Sequence, residues 1–119
     1  MVSMRGKSVA LVTDDLMFAS QLQTAMKRAR GSCALVVGDE VPHTRVVFID
    51  LNQDEERRLE LIASLRHERP GLEIVGFCHH GARALRRRAL DMGATRVINN
   101  GALQSVALLL SGINVGERL

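Results

Sequence analysis

Short apolar runs alternate along the chain with stretches in which apolar residues recur every three or four positions. Ser8 to Thr13 (SVALVT), Cys33 to Val37 (CALVV), Arg45 to Ile49 (RVVFI) and Glu73 to Cys78 (EIVGFC) are dense in β-branched and apolar residues and predict buried strands. Arg96 to Ile98 predicts a short fifth strand. Between the first two, Leu16 to Arg30 carries Phe18, Leu22, Ala25 and Ala29 at helical spacing, with Gly31 as its stop. Asp54 to Arg69 predicts a helix with Asp54, Glu55 and Glu56 in its first turn, where carboxylates suit the macrodipole. Leu59, Ile62 and Leu65 form part of its apolar stripe, and Pro70-Gly71 ends it. Gly81 to Met92, closed by Gly93, and Gly101 to Ile113 complete the pattern.

Strands that alternate with helices read as parallel crossover units, and continuously apolar strands read as a sheet covered on both faces. The expectation is one open, five-stranded, doubly wound α/β domain over residues 1–119. One link is too short for the scheme. Only Gly38 to Arg45, with Pro42 inside it, separates the second strand from the third. A crossover takes about ten to twelve residues or more. The second crossover helix is therefore expected to be shortened to a turn or missing.

Composition narrows the function classes. A chain of 119 residues can bury a core without disulfides or a structural metal. Hydrophobic residues at 46% and charged residues at 24% exclude a disordered, collagenous or coiled-coil chain. The net charge of +3 is too small an excess to signal a nucleic-acid partner. With no Trp, no Tyr and three Phe (Phe18, Phe48, Phe77), the chain lacks a platform for stacking bases. Cys33 and Cys78 lie in apolar runs and read as buried thiols. No apolar run approaches the roughly 20 residues that span a bilayer, and Met1 to Lys7 has no secretory core. A cytoplasmic protein without membrane contact is expected.

Sites in doubly wound sheets lie at the carboxyl ends of the strands. Asp14 and Asp15 follow the first strand and Asp50 follows the third. If these strands are neighbours, three carboxylates converge on one crevice. Like charges so close raise each other's pKa unless a cation joins them. An incomplete oxygen cage suits Mg²⁺, bound weakly. Other motifs carry less. Gly6-Lys7-Ser8 lacks the upstream glycine and preceding strand of a phosphate-binding loop. Cys78, His79 and His80 are adjacent and so lack the spacing of a zinc site. No Ser/His/Asp or Cys/His/Asn set has a defensible spacing, so an enzyme is not expected.

Three stretches carry a family likeness: Val9 to Asp15 (VALVTDD), Val47 to Asn52 (VFIDLN) and Asp91 to Asn100 (DMGATRVINN). In this order and spacing they resemble the receiver domains of two-component response regulators. The resemblance implies a flavodoxin-like sheet of order 2-1-3-4-5. It implies Mg²⁺ on Asp14, Asp15, Asp50 and the backbone carbonyl of Asn52, and Asp50 as the acceptor of a phosphoryl group. Four departures accompany it. Cys78 stands where receivers carry Thr or Ser, Val97 where they carry an aromatic residue, and Asn100 then Gly101 where they carry Lys then Pro. The second crossover is short. A charge-assisted hydrogen bond contributes on the order of 1.5–3 kcal/mol, of which a neutral Asn100 recovers only part. Cys78 offers a weak S–H donor, and Val97 cannot swing as an aromatic reporter. The likeness is thus to an atypical, pseudo-receiver form.

Arg83, Arg86, Arg87 and Arg88 crowd one predicted helix, with Leu90 falling among them on the outer side. In the last helix Val106, Leu110 and Ile113 share the expected core side, which leaves Leu108 outward beside Gln104 and Ser111. Arg83, Arg86, Arg87, Leu90 and Leu108 are therefore candidate contact residues. In receivers these are the fourth and fifth helices, the usual output and dimer surface. The expectation is a signalling domain that acts by protein–protein contact, with a histidine kinase, an output protein or a second copy as partner. Standard phosphorylation switching is not expected, and output is expected to come from a partner, or from a larger protein of which this chain is a fragment, rather than from a DNA-binding domain after the last helix. The alternative is a Mg²⁺-dependent aspartyl-phosphate receiver in a phosphorelay. A nucleic-acid-associated factor using the arginine-rich helix is the third reading.

Overall fold

The computed structural model describes residues 7–112. In chain order it comprises β1 (Ser8–Val12), α1 (Leu16–Arg28), β2 (Ser32–Val36), β3 (Val46–Asp50), α2 (Glu55–Glu68), β4 (Glu73–Cys78), α3 (Arg83–Met92), β5 (Arg96–Asn99) and α4 (Leu103–Leu110). A turn of 3-10 helix, Asn100–Ala102, leads into α4. The strands form one sheet of order β2-β1-β3-β4-β5, and every neighbouring pair is parallel. This is the doubly wound order expected, with strands added to one side of β1 and then, from β3 on, to the other.

Alternation along the strands divides the core into two layers. Ala10, Val12, Val47, Ile49 and Ile74 join Leu59, Ile62 and Leu65 of α2 and Leu85 and Ala89 of α3. Val9, Leu11, Phe48, Val75 and Phe77 join Ala19, Leu22 and Met26 of α1 and Leu103 and Ala107 of α4. β3 is buried throughout, whereas β2 is an edge strand whose Ser32 and Ala34 are exposed.

No helix forms between β2 and β3. Val41, 5% exposed, reaches from this loop into the α2/α3 layer and covers part of the face that a helix would cover. Arg69 holds the loop by donating to the carbonyls of Val41 at 2.6 Å and Pro42 at 2.9 Å. An open groove of about 510 Å³ remains between the loop and α2, lined in part by Glu40, Arg57, Glu60 and Ser64.

Each helix is shorter than expected at one end or both, α3 beginning at Arg83 rather than Gly81. α1 ends in a Schellman arrangement with Arg30, not Gly31, in the left-handed region at φ 64°. Gly31 donates to the Met26 carbonyl at 2.7 Å. A Cβ there would lie 2.4 Å from the Lys7 carbonyl oxygen, so the glycine is needed for close approach. Asp54 sits outside α2 as a left-handed cap residue. α4 begins at Leu103, which rotates its buried side onto Leu103, Ala107 and Ser111. The buried Ser111 hydroxyl is satisfied by the carbonyls of Ala107 and Leu108. Ile113 of the expected helix lies outside the described residues.

Gly93 closes α3 at φ 122°, and a Cβ there would lie 2.7 Å from Arg66 Cβ. Gly93→Ala is expected to lower the unfolding free energy by more than about 1 kcal/mol. Gly101→Ala, with no heavy atom within 4 Å of its added Cβ, should not lower it. Urea denaturation of both variants checks this; equal losses would defeat the strain argument.

Candidate functional site

β1 and β3 pair with Val12 opposite Ile49, so both chains leave the sheet side by side at its carboxyl edge. Asp50 is the last residue of β3 and is 3% exposed. Alternation from Val46 and Phe48 puts it on the α1/α4 side of the sheet. Thr13, next in the alternation after Val9 and Leu11, meets it there. The Thr13 hydroxyl donates to Asp50 Oδ2 at 2.6 Å. Asp50 Oδ1 accepts from the Asn52 backbone N–H at 2.8 Å and from Asn52 Nδ2 at 2.7 Å.

The other two acids have separate partners. Asp15 caps α1: its Oδ1 accepts from the backbone N–H groups of Met17 at 2.8 Å and Phe18 at 3.4 Å. Its own N–H donates to Thr13 Oγ1 at 3.0 Å. Asp14 follows Ala10 and Val12 toward the α2/α3 layer, where its Oδ2 lies 3.3 Å from Arg58 Nη2. The Arg58 side chain is only 4% exposed. Its Nη1 donates to the carbonyls of Val12 and Asp50, both at 3.1 Å.

The three acids are thus neighbours in the fold, but their carboxylates do not share one pocket. Among the described residues no three His, Cys, Asp or Glu side chains stand together as a metal-holding group. The set expected to hold Mg²⁺ (Asp14, Asp15, Asp50 and the Asn52 carbonyl) is not assembled as a cage. One acid is turned to a cation, one caps a helix, and one has both oxygens hydrogen-bonded.

Sequence reasoning missed Arg58 and Thr13. Arg58 had a legible signal, because it falls three and four positions before Leu61 and Ile62 on the buried stripe of α2. A cation on that stripe must find oxygen partners within the fold. Thr13 closes the apolar run of β1, where a polar residue buried to 2% needs a partner.

Of the three positions that depart from the receiver pattern, Cys78 and Asn100 lie at the same edge, and Val97 lies within β5 opposite Gly76. Cys78 ends β4, is 1% exposed and stands opposite Asn99. Burial pushes its thiol up, against a smaller opposing pull from Arg86. Val97 is half-buried and packs on the α2/α3 layer. Asn100 exchanges amide hydrogen bonds with Asn52: Asn52 Nδ2 donates at 2.9 Å and Asn100 Nδ2 donates back at 3.1 Å. His79 and His80 are exposed, with stacked rings 4.7 Å apart.

The arginines of α3 separate into two kinds. Arg86 is half-buried and donates to the Val97 carbonyl at 3.1 Å and to Asn99 Oδ1. Arg88 forms a two-bond pair with Glu56 at 2.6 and 2.8 Å. Arg83 and Arg87 are exposed, as is Leu90 at 48%. Leu108 does not face outward as expected. It is half-buried against the α1/α4 layer, and Leu109, 68% exposed, is the outward leucine. The reason is the phase of α4, set by Leu103 rather than Val106.

No family model matches the chain. It is 30% identical over 103 residues to the photosynthetic apparatus regulatory protein RegA of Rhodobacter capsulatus, covering 81% of this chain and 56% of that protein. The chain therefore spans little more than half the length of this curated relative. Its structure superposes on the receiver domain of the beryllofluoride-activated NtrC4 dimer with a TM-score of 0.72 at 16% identity, over 89% of this chain and 93% of that one. A response regulator of Burkholderia pseudomallei, solved with a phosphorylated aspartic acid, calcium ion and citrate, gives a TM-score of 0.72 at 19% identity over 87% of this chain and 65% of that one. The fold is that of response-regulator receiver domains.

Two outcomes follow from the side-chain partners. Arg86→Ala should destabilise the domain by about 1 kcal/mol or more, while Arg83→Ala and Arg87→Ala stay within about 0.5 kcal/mol; chemical denaturation ranks the three. Burial also pushes the Cys33 thiol up to about 12. At pH 8 its thiolate fraction is then about one in ten thousand. Neither cysteine of the native protein should be alkylated by iodoacetamide at that pH, and both should be after unfolding, as read by intact mass.

Proposed function

We propose that this chain is a receiver domain of the response-regulator type, and an atypical one that signals by protein–protein contact without the standard phosphorylation switch. The state of Asp50 carries this reading. Its carboxylate is 3% exposed and both oxygens are hydrogen-bonded, to Thr13 and to Asn52. A phosphoryl group on Asp50 would have to break these contacts. The residues that would sense it are Cys78, Val97 and Asn100, and Asn100 is already paired with Asn52. A ligand shifts a conformational equilibrium only through differential contacts with the two states. Few such contacts are on offer.

The contact face proposed for a protein partner or a second copy flanks the edge strand β5. Arg83, Arg87 and Leu90 on α3 and Leu109 on α4 are its outward residues. Arg86, a candidate on sequence grounds, serves the fold through β5 instead. This division also weakens the nucleic-acid reading, because Arg86 and Arg88 are engaged within the domain. Among the described residues no helix is long and apolar enough to cross a membrane.

The test is incubation with acetyl phosphate and Mg²⁺ followed by intact mass. An unmodified chain is expected. A phosphate adduct that disappears in Asp50→Asn would overturn the proposal in favour of a phosphorelay receiver.

A further inference from the structure

Arg58 is a charge that the signalling proposal does not use. It is one of four polar or charged residues buried among the described positions, with Thr13, Asp50 and Ser111. A guanidinium stays protonated under all ordinary conditions, and a charge taken out of water must be paired and hydrogen-bonded. Here the pairing falls at the carboxyl ends of β1 and β3, on Asp14, one of the acids expected to hold a metal. Nη2 faces the Asp14 carboxylate at 3.3 Å, and Nη1 bridges the last carbonyl of β1 (Val12) and the last carbonyl of β3 (Asp50), both at 3.1 Å. The guanidinium offers a fixed planar fork of donors, which suits three oxygens set at the ends of two adjacent parallel strands.

We infer that Arg58 is a resident cation that takes the place of a divalent metal, neutralising Asp14 and joining the carboxyl ends of β1 and β3. Asp14 is the acid whose carboxylate this buried guanidinium faces, and a positive charge beside a carboxylate favours its ionised form. A free ion can supply it and can leave; a guanidinium anchored on α2 cannot leave. Its position is set by the buried stripe of that helix, where Leu61, Ile62 and Leu65 follow it. A divalent ion approaching Asp14 would meet this fixed charge and a carboxylate already engaged by it. The acid corner is accordingly preformed and indifferent to metal.

The test uses the ¹⁵N-labelled chain and Mn²⁺ as a paramagnetic probe. In the wild type, millimolar Mn²⁺ should leave the amide signals of Asp14, Asp15 and Asn52 no more broadened than those of exposed acids such as Asp39. In Arg58→Gln the same three amides should broaden at Mn²⁺ concentrations lower by about tenfold or more. Selective broadening in the wild type would overturn the inference, and so would a folded Arg58→Gln that gains no metal sensitivity. If Arg58→Gln does not fold, Arg58→Met serves as the neutral variant, and the wild-type measurement decides in either case. A wild type that binds Mn²⁺ at Asp14 yet gains no phosphate would defeat this inference while leaving the signalling proposal intact.

Discussion

β1 and β3 lie side by side with Val12 opposite Ile49, and the polar contacts that join the two strands at the carboxyl edge depend on that pairing. It brings Thr13 within 2.6 Å of Asp50 and sets the last carbonyls of both strands within reach of one guanidinium. The pairing is held by burial rather than by the polar groups. Val9 to Val12 and Val47 to Ile49 are fully buried between two helical layers. At roughly 25 cal/mol per Å² of apolar surface, burial of these side chains outweighs the modest net contribution of any one hydrogen bond at the edge. The polar network is therefore positioned by the core, not the reverse.

The same alternation that builds the core also parts the acids. Successive residues on a strand point to opposite faces, so Asp14 follows Val12 to one side while Thr13 follows Leu11 to the other. Asp50 lies on the Thr13 side. Two adjacent aspartates in the sequence thus enter different environments: Asp14 an ion pair with Arg58, Asp15 the first turn of α1. The buried member of the first pair, Arg58, would be costly to leave unpaired.

The missing crossover helix has a comparable consequence on the other side of the sheet. Val41 fills part of the place such a helix would cover, and Arg69 clasps its carbonyl. This economy leaves β2 a thinly covered edge strand and leaves a groove beside α2. The α3 face near β5 is built differently. There Arg86 and Arg88 tie α3 to β5 and to α2, and Arg83, Arg87 and Leu90 face solvent.

Much of the architecture was legible in the residues. Short β-branched runs, helical spacing between them and a link of eight residues were enough for the five-stranded parallel sheet and for the absent second helix, because both follow from local periodicity and chain length. The placement of acids at strand ends followed from the same pattern. What the residues alone could not decide was which group each acid would meet. That depends on the face toward which each side chain turns and on what a distant helix carries there, as Arg58 shows, 44 positions from Asp14. The phase of α4 was lost for a related reason: packing on the sheet buries the side carrying Leu103, Ala107 and Ser111, which leaves Leu109 rather than Leu108 outward. Periodicity is a local property of the chain, whereas the partner of a buried charge is decided only when separate elements close over it.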